Sequence, residues 1–212
     1  MNPVLLTSAY LAPVQYFTKL YAAPLIIEER SDHYVKQTYR NRCVIAGANG
    51  PLALTLPIIH SDQPKALTRD IRLSDHGNWR HLHWNALQSA YEKSPYFEYY
   101  ADDFRPFYER RYDFLVDFNQ ALQEKICELL DLQPHIERPE AYVESVPVGV
   151  DDYREIIRPK VDYAADSSFC PRPYYQVFAQ KHGFLPNLSM LDLLFNMGLE
   201  SRLVLRDSIV GL

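Results

Sequence analysis

The stretch PVLLTSAYLAPVQYFTKLYAAPLII, residues 3–27, decides the fold. PVLLTS, Pro3 to Ser8, is too short for a helix and is bounded by polar residues, which predicts a buried strand. Tyr10 to Pro13 reads as a loop. Pro13, whose fixed φ suits a first helical turn, opens a helix through Tyr16, Phe17 and Leu20. Pro24 to Ile27 gives a second apolar run and a second strand. Strand, helix and strand in succession start an α/β arrangement. The expected architecture is a mixed sheet flanked by helices, as a single domain over residues 1–212.

Outward from that stretch, Asn49-Gly50 is the preferred type I′ turn dipeptide. It separates CVIA (Cys43 to Ala46) from LALTL (Leu52 to Leu56) and predicts an antiparallel hairpin, with Gly47 and Pro51 leaving the register open. Trp79, His83, Leu87 and Tyr91 fall on one face of a helix from about Asn78 to Lys93. Leu115, Phe118, Leu122, Ile126 and Leu129 define a helix expected from about Pro106 to Leu132. The proline-studded segment from Asp131 to Arg172 reads as loop, with short strands near Ala141–Val143 and Ile156. Ser189 and Asp192 match an S-x-x-D capping box at the head of a last helix, which Gly198 ends. A final strand is expected at Leu203–Leu205. No internal repeat is visible.

Composition excludes several classes. The 212 residues carry 22 basic and 27 acidic side chains, a net charge of −5, which argues against a general nucleic-acid binder. No window reaches the ~20 apolar residues of a membrane span. Three widely spaced cysteines, Cys43, Cys127 and Cys170, form no CxxC pair or disulfide framework and point to a reducing, cytoplasmic setting. Sequence alone leaves the oligomeric state open. No H-E-x-x-H, zinc spacing, P-loop, G-x-S-x-G or G-x-G-x-x-G occurs, so neither a metal nor a cofactor is expected.

Candidate chemistry lies in three places. If Tyr34 to Ile45 is extended, Lys36, Arg40 and Arg42 share one strand face and suit a phosphate or carboxylate. A helical segment would still pair Lys36 with Arg40, and a solvated charged face is the competing reading. His81 and His83 point to opposite sides of their helix and cannot clasp one metal. His83, beside Trp84, suits proton transfer or, alternatively, a core position bonded to a backbone carbonyl. The segment Tyr91 to Tyr112 interleaves Tyr96, Phe97, Tyr99, Tyr100, Phe104, Phe107 and Tyr108 with Asp102, Asp103, Arg105 and Arg111. Such rings and charges suit sugars or nucleobases, or else pack a Tyr-rich connection against the core.

Four stretches together resemble the WbqC-like family: Tyr10-Leu-Ala-Pro13-Val-Gln-Tyr16-Phe17; Tyr39-Arg-Asn-Arg-Cys43 with Asn49-Gly50 and Leu54-Thr-Leu-Pro57; Ser94-Pro-Tyr-Phe97; and Gly183-Phe-Leu-Pro-Asn187 through Asp192 to Gly198. Asp152 through Pro159 to Phe178 is similar to a Bacteroidetes-type branch, while the Tyr-Ser-Gly motif of other members is missing. The resemblance implies the company of bacterial surface-polysaccharide genes. It points to a transferase, acyl or aminoacyl in type, that modifies an activated amino sugar; the alternative is a non-catalytic binding or assembly protein for a glycan precursor. The expected substrate is a small anionic or nucleotide-linked sugar. Lys36, Arg40 and Arg42 would hold its anion, Tyr10, Tyr16 and Asn41 would orient it, and His83 or Asp192 would move a proton. The site is expected after the first strand, because ligands of open α/β sheets gather at strand carboxyl ends.

Overall fold

The computed structural model describes residues 1–59 and 65–211. β1 (Val4–Thr7), α1 (Val14–Ala22) and β2 (Ile26–Glu29) form the expected opening unit. β1 and β2 pair in parallel. A hairpin follows, β3 (Arg42–Gly47) and β4 (Gly50–Thr55), then three helices, α2 (Trp79–Tyr91), α3 (Phe97–Glu109) and α4 (Leu115–Leu129). β5 (Ile136–Glu137) and β6 (Asp151–Asp152) complete the parallel sheet in the order β5-β2-β1-β6. The chain ends with α5 (Ala179–His182), α6 (Met190–Met197) and α7 (Ser201–Asp207).

The α/β class holds, with the hairpin standing as a two-stranded sheet apart from the parallel one. β1 is buried on both faces, as a central parallel strand requires. Phe195 of α6 anchors the helical side: its ring lies 5.3 Å from Tyr91, 5.1 Å from Phe97 and 5.6 Å from Phe104. α2 buries Trp79, His83, Leu87 and Tyr91, the face read from their spacing. Among the described residues no helix is long and apolar enough to cross a membrane.

Several elements differ from expectation, each for a local reason. β2 runs on through Glu28 and Glu29, both buried, because Arg30 and Arg138 pair with Glu28 while the Ser31 and Val143 amides donate to Glu29. The strand expected from Tyr34 begins only at Arg42; residues 36–40 turn, with Gln37 at φ 60°. The hairpin's central residues are Ala48 and Asn49, neither with positive φ, and the left-handed position is Gly50 at 108°. It is therefore not a type I′ turn, which needs positive φ at both centres. The long helix expected from Pro106 is two helices. Leu73 N donates to Asp113 O and Leu115 N to Ile71 O, which pulls the intervening chain out of helix, while Pro106 sits inside α3. The strands expected near residues 141–143 and 156 are instead β5 and β6, and Leu203–Leu205 is helical in α7.

Ser189 caps α6 as expected, its Oγ accepting from Leu191 N at 3.3 Å. Asp192 does not complete a capping box, since the Ser189 amide donates to Val44 O instead. Ser189→Ala should therefore cost about 1 kcal/mol, read as a lower urea midpoint with unchanged slope.

Candidate functional site

The residues after β1 turn inward. Leu11 takes the left-handed conformation (φ 41°), and Tyr10 is fully buried beside it. The Tyr10 hydroxyl lies 2.9 Å from the Tyr108 hydroxyl and 3.0 Å from His83 Nδ1. The Tyr10 ring stacks on His83 and on Phe118, with centroids 5.8 Å apart in both pairs. Burial pushes the Tyr10 and Tyr108 hydroxyls well above the ordinary tyrosine range. It also holds the His83 ring down at about 4, so the imidazole is neutral at pH 7. In the neutral ring Nδ1 either accepts from the Tyr10 hydroxyl or donates to it, according to the tautomer. Tyr108, Tyr10 and His83 thus form a short chain of exchangeable protons.

Arg40 and Asn41 lie beside this chain, joined to it through Asn119, which follows Phe118 on α4. Asn119 Nδ2 donates to the Arg40 carbonyl at 2.8 Å and to Ser8 Oγ at 3.1 Å. Arg40 is buried in an ion pair with Asp32. Arg40 Nε, Asn41 Oδ1 and Asn119 Oδ1 are buried without a partner among the described residues. Such atoms are few in native proteins, and Arg30 Nη2, Gln123 Nε2 and Asn196 Oδ1 share the condition elsewhere in the fold.

The other selected residues lie elsewhere. Lys36 is exposed in its turn, and Arg42 Nε reaches across the hairpin to Thr55 Oγ1 at 3.1 Å. No shared face of three cations forms, because the two-residue period starts only at Arg42. Tyr16 is buried with its hydroxyl on Thr7 O at 3.1 Å. Asp192 is fully buried and accepts from Tyr174 (2.7 Å), Tyr91 (2.9 Å) and Gln176 Nε2 (2.9 Å).

A cavity of about 380 Å³ opens at the α2–α3 side, with Tyr108 in its wall. Arg80, Arg105, Arg111, His81 and Trp84 also line it, opposed by Asp75 and Glu109. Arg80 is held in place: Nη1 donates to Asp75 at 2.6 Å, Nε to the Arg110 carbonyl at 3.0 Å, and its guanidinium lies 4.6 Å over the Trp79 ring. The Arg80 hydrogen bond keeps the Asp75 carboxyl below its usual range. Arg111 approaches Asp75 at 3.4 Å, and Arg105 pairs with Glu109 at 2.8 Å. Three guanidinia thus share two carboxylates, an excess of one positive charge in the wall. Arg105, Arg111 and Tyr108 stand in the aromatic stretch singled out by sequence. Arg80 and Asn119 do not, and no local signal marks them, since their roles depend on how the helices pack.

A second buried cluster lies beyond the carboxyl ends of β1 and β6. Lys19 Nζ is 2.6 Å from Asp166 Oδ2 and 2.7 Å from Ser168 Oγ. Gln15 Nε2 donates to the same Asp166 oxygen at 3.0 Å, and Asn187 exchanges two hydrogen bonds with Gln15. Asn187 so occupies the amino end of α1, where a ligand anion sits in many α/β proteins. Cys43 and Cys127 are buried and Cys170 is exposed, all as free thiols; burial pushes Cys127 up to about 12. Among the described residues no group of three or more His, Cys, Asp or Glu side chains is placed to hold a metal ion.

A parallel α/β sheet, with a polar centre beyond β1 and an arginine-lined cavity beside α2 and α3, places the chain among α/β proteins. The chain belongs to the WbqC-like protein family, whose model matches residues 8–148. It is also similar to the Uncharacterized protein Rv1507c of Mycobacterium tuberculosis, 25% identical over 194 residues that cover 79% of this chain and 81% of the relative. No solved structure matches it significantly. Neither the family match nor the mycobacterial relative supports assignment to a Bacteroidetes-type branch.

Proposed function

We propose that the protein is a transferase of surface-polysaccharide biosynthesis that binds a nucleotide-linked amino sugar in the cavity between α2 and α3. The observation that carries this reading is the buried Tyr108–Tyr10–His83 chain next to a guanidinium-lined cavity whose wall includes the Tyr108 side chain. In it, Arg80, Arg105 and Arg111 hold the phosphates, Trp84 offers a ring face, and His83 takes or returns a proton through the two hydroxyls. Membership of the WbqC-like family supports the glycan side of the reading.

The test measures binding and turnover separately, with nucleotide sugars as donors and acyl or aminoacyl partners. Arg80→Ala should weaken binding at least about tenfold, since it removes a preorganised bidentate donor. Tyr10→Phe should leave binding within about twofold and slow turnover about a hundredfold, because it cuts the proton chain and keeps the ring. Unchanged turnover in Tyr10→Phe would remove the relay from the mechanism. One observation favours a non-catalytic binding or assembly protein: the two candidate proton movers are enclosed, with His83 6% and Asp192 0% exposed. Tight binding without turnover across donor classes would select that reading.

A further inference from the structure

Away from the α2–α3 cavity, a groove of about 500 Å³ runs along the start of α3, the end of α4 and the turn after α6. Tyr96, Tyr99, Tyr100 and Leu199 form its apolar surface, and Glu128 and Glu200 its polar groups. Tyr99 is 76% exposed and Leu199 62%, large values for residues that soluble proteins tend to cover. The exposed ring is nonetheless braced: Tyr100, itself buried, meets Tyr99 at 90° with centroids 4.8 Å apart. Tyr96 is positioned as well. Its amide donates to Phe195 O at 3.0 Å, and its ring packs on Gly198, where a Cβ would come within 2.8 Å of Tyr96 Cε1. Gly198 also has φ 56°, a left-handed conformation that side chains disfavour. Two stretches far apart in sequence, Ser94–Phe97 and Phe195–Gly198, thus meet to hold one tyrosine at the groove.

We propose that this groove is a carbohydrate-binding subsite for neutral or amino sugars. A sugar ring presents a C–H face to a flat aromatic platform and a rim of hydroxyls to hydrogen-bond acceptors. Tyr99 and Tyr96 supply the platform, and Glu128 and Glu200 the acceptors. Among the described residues no cationic side chain lines the groove itself, and Lys125, paired with Glu128 at 2.7 Å, offsets one of its two carboxylates. The remaining negative charge disfavours phosphates and uronic acids and, with the ring faces, attracts a protonated amine. The subsite does not depend on the α2–α3 reading. It provides a place for a glycan residue distinct from any activated donor.

The experiment titrates the full chain with three trisaccharides: N-acetylglucosamine trimer, glucosamine trimer and galacturonic acid trimer. Binding is followed by calorimetry and by amide chemical shifts. The neutral and cationic trimers should bind with Kd below about 1 mM, and the anionic one at least about tenfold more weakly. Tyr99→Ala removes an exposed side chain and should not disturb folding. It should weaken the neutral trimer at least about tenfold while nucleotide-sugar binding at the α2–α3 cavity stays unchanged. The proposal fails if no trimer binds, if the anionic trimer binds as well as the others, or if Tyr99→Ala binds normally. It fails equally if Tyr99→Ala abolishes a concentration-dependent dimer, which would make the groove a contact between copies of this chain.

Discussion

Asp166→Ala is expected to destabilise the protein by about 3–5 kcal/mol, the usual cost of stranding one partner of a buried ion pair. The Lys19 and Asp166 side chains are 0% and 1% exposed, so neither charge has water to fall back on. Removing the carboxylate leaves the ammonium with Ser168 Oγ at 2.7 Å and the face of Tyr153, 4.5 Å away. It also strands Gln15 Nε2 and the Ser168 amide, which both donate to Asp166. The double variant Lys19→Met/Asp166→Leu removes both charges and should recover the part of the loss that comes from the stranded ammonium, while Gln15 Nε2 and the Ser168 amide stay without their acceptor. Urea unfolding reads both; a single variant costing less than about 1 kcal/mol would show that water reaches the pair.

The same pair carries a pH signature. Burial alone would raise the Asp166 carboxyl, but hydrogen bonds from Lys19, Ser168 and Gln15 outweigh it and hold it below the ordinary carboxylate range. Burial pulls the Lys19 ammonium down while Asp166 pulls it up, and at 2.6 Å from an ionised carboxylate we assign it as charged. A depressed carboxylate contributes stability that is complete above its unfolded value, about 3.9, and is lost as pH falls through the folded one. The wild-type advantage over Asp166→Ala should therefore shrink below about pH 4.

The elements legible in the sequence are those whose own residues set the period. β1 shows as an unbroken apolar run, α1 as a proline-opened helix, and α2 as Trp79, His83, Leu87 and Tyr91 on one face. β5 and β6 have two residues each and exist only because β2 and β1 pair with them. The last two residues of β2 are hidden for a related reason: Glu28 and Glu29 look like loop until Arg30, Arg138 and Val143 arrive to neutralise or satisfy them. The break between α3 and α4 is likewise imposed by residues 71–73, about forty positions earlier. At the site, Tyr10, Arg40, Asn41 and His83 were readable as polar or titratable residues of a predicted loop, strand and helix, and the fold gathers them beyond β1. The guanidinium wall was not readable as a unit, because Arg80 meets Arg105 and Arg111 only when α2 and α3 pack together.

Asp192 separates structural from catalytic carboxylates more sharply than any other residue. Three donors converge on it, and among the described residues no cation pairs with it. Asp192→Ala leaves two buried hydroxyls and one of the two Gln176 amide N–H groups without an acceptor, at about 1–3 kcal/mol each, and should cost at least about 3 kcal/mol in all. Asp192→Asn is the finer probe. Tyr174 and Gln176 Nε2 share one oxygen, and an amide nitrogen there lets Tyr174 turn its hydroxyl to accept. Gln176 cannot follow, since Leu185 already engages both ends of its amide. That variant should lose about 1–3 kcal/mol at neutral pH. Burial raises the Asp192 carboxyl even against its three hydrogen bonds, so the folded state holds the proton more tightly than the unfolded chain does. Stability from this group is then greatest at low pH and falls as pH climbs from about 3.9 through the raised folded value. An asparagine cannot titrate, so the gap between wild type and Asp192→Asn should be widest near pH 4 and narrow toward neutrality. Because Asp192 grips Tyr91, it also fixes the end of the helix that carries His83. A gap that widens with pH, or an Asp192→Asn protein of full stability with lost turnover, would return Asp192 to the catalytic machinery.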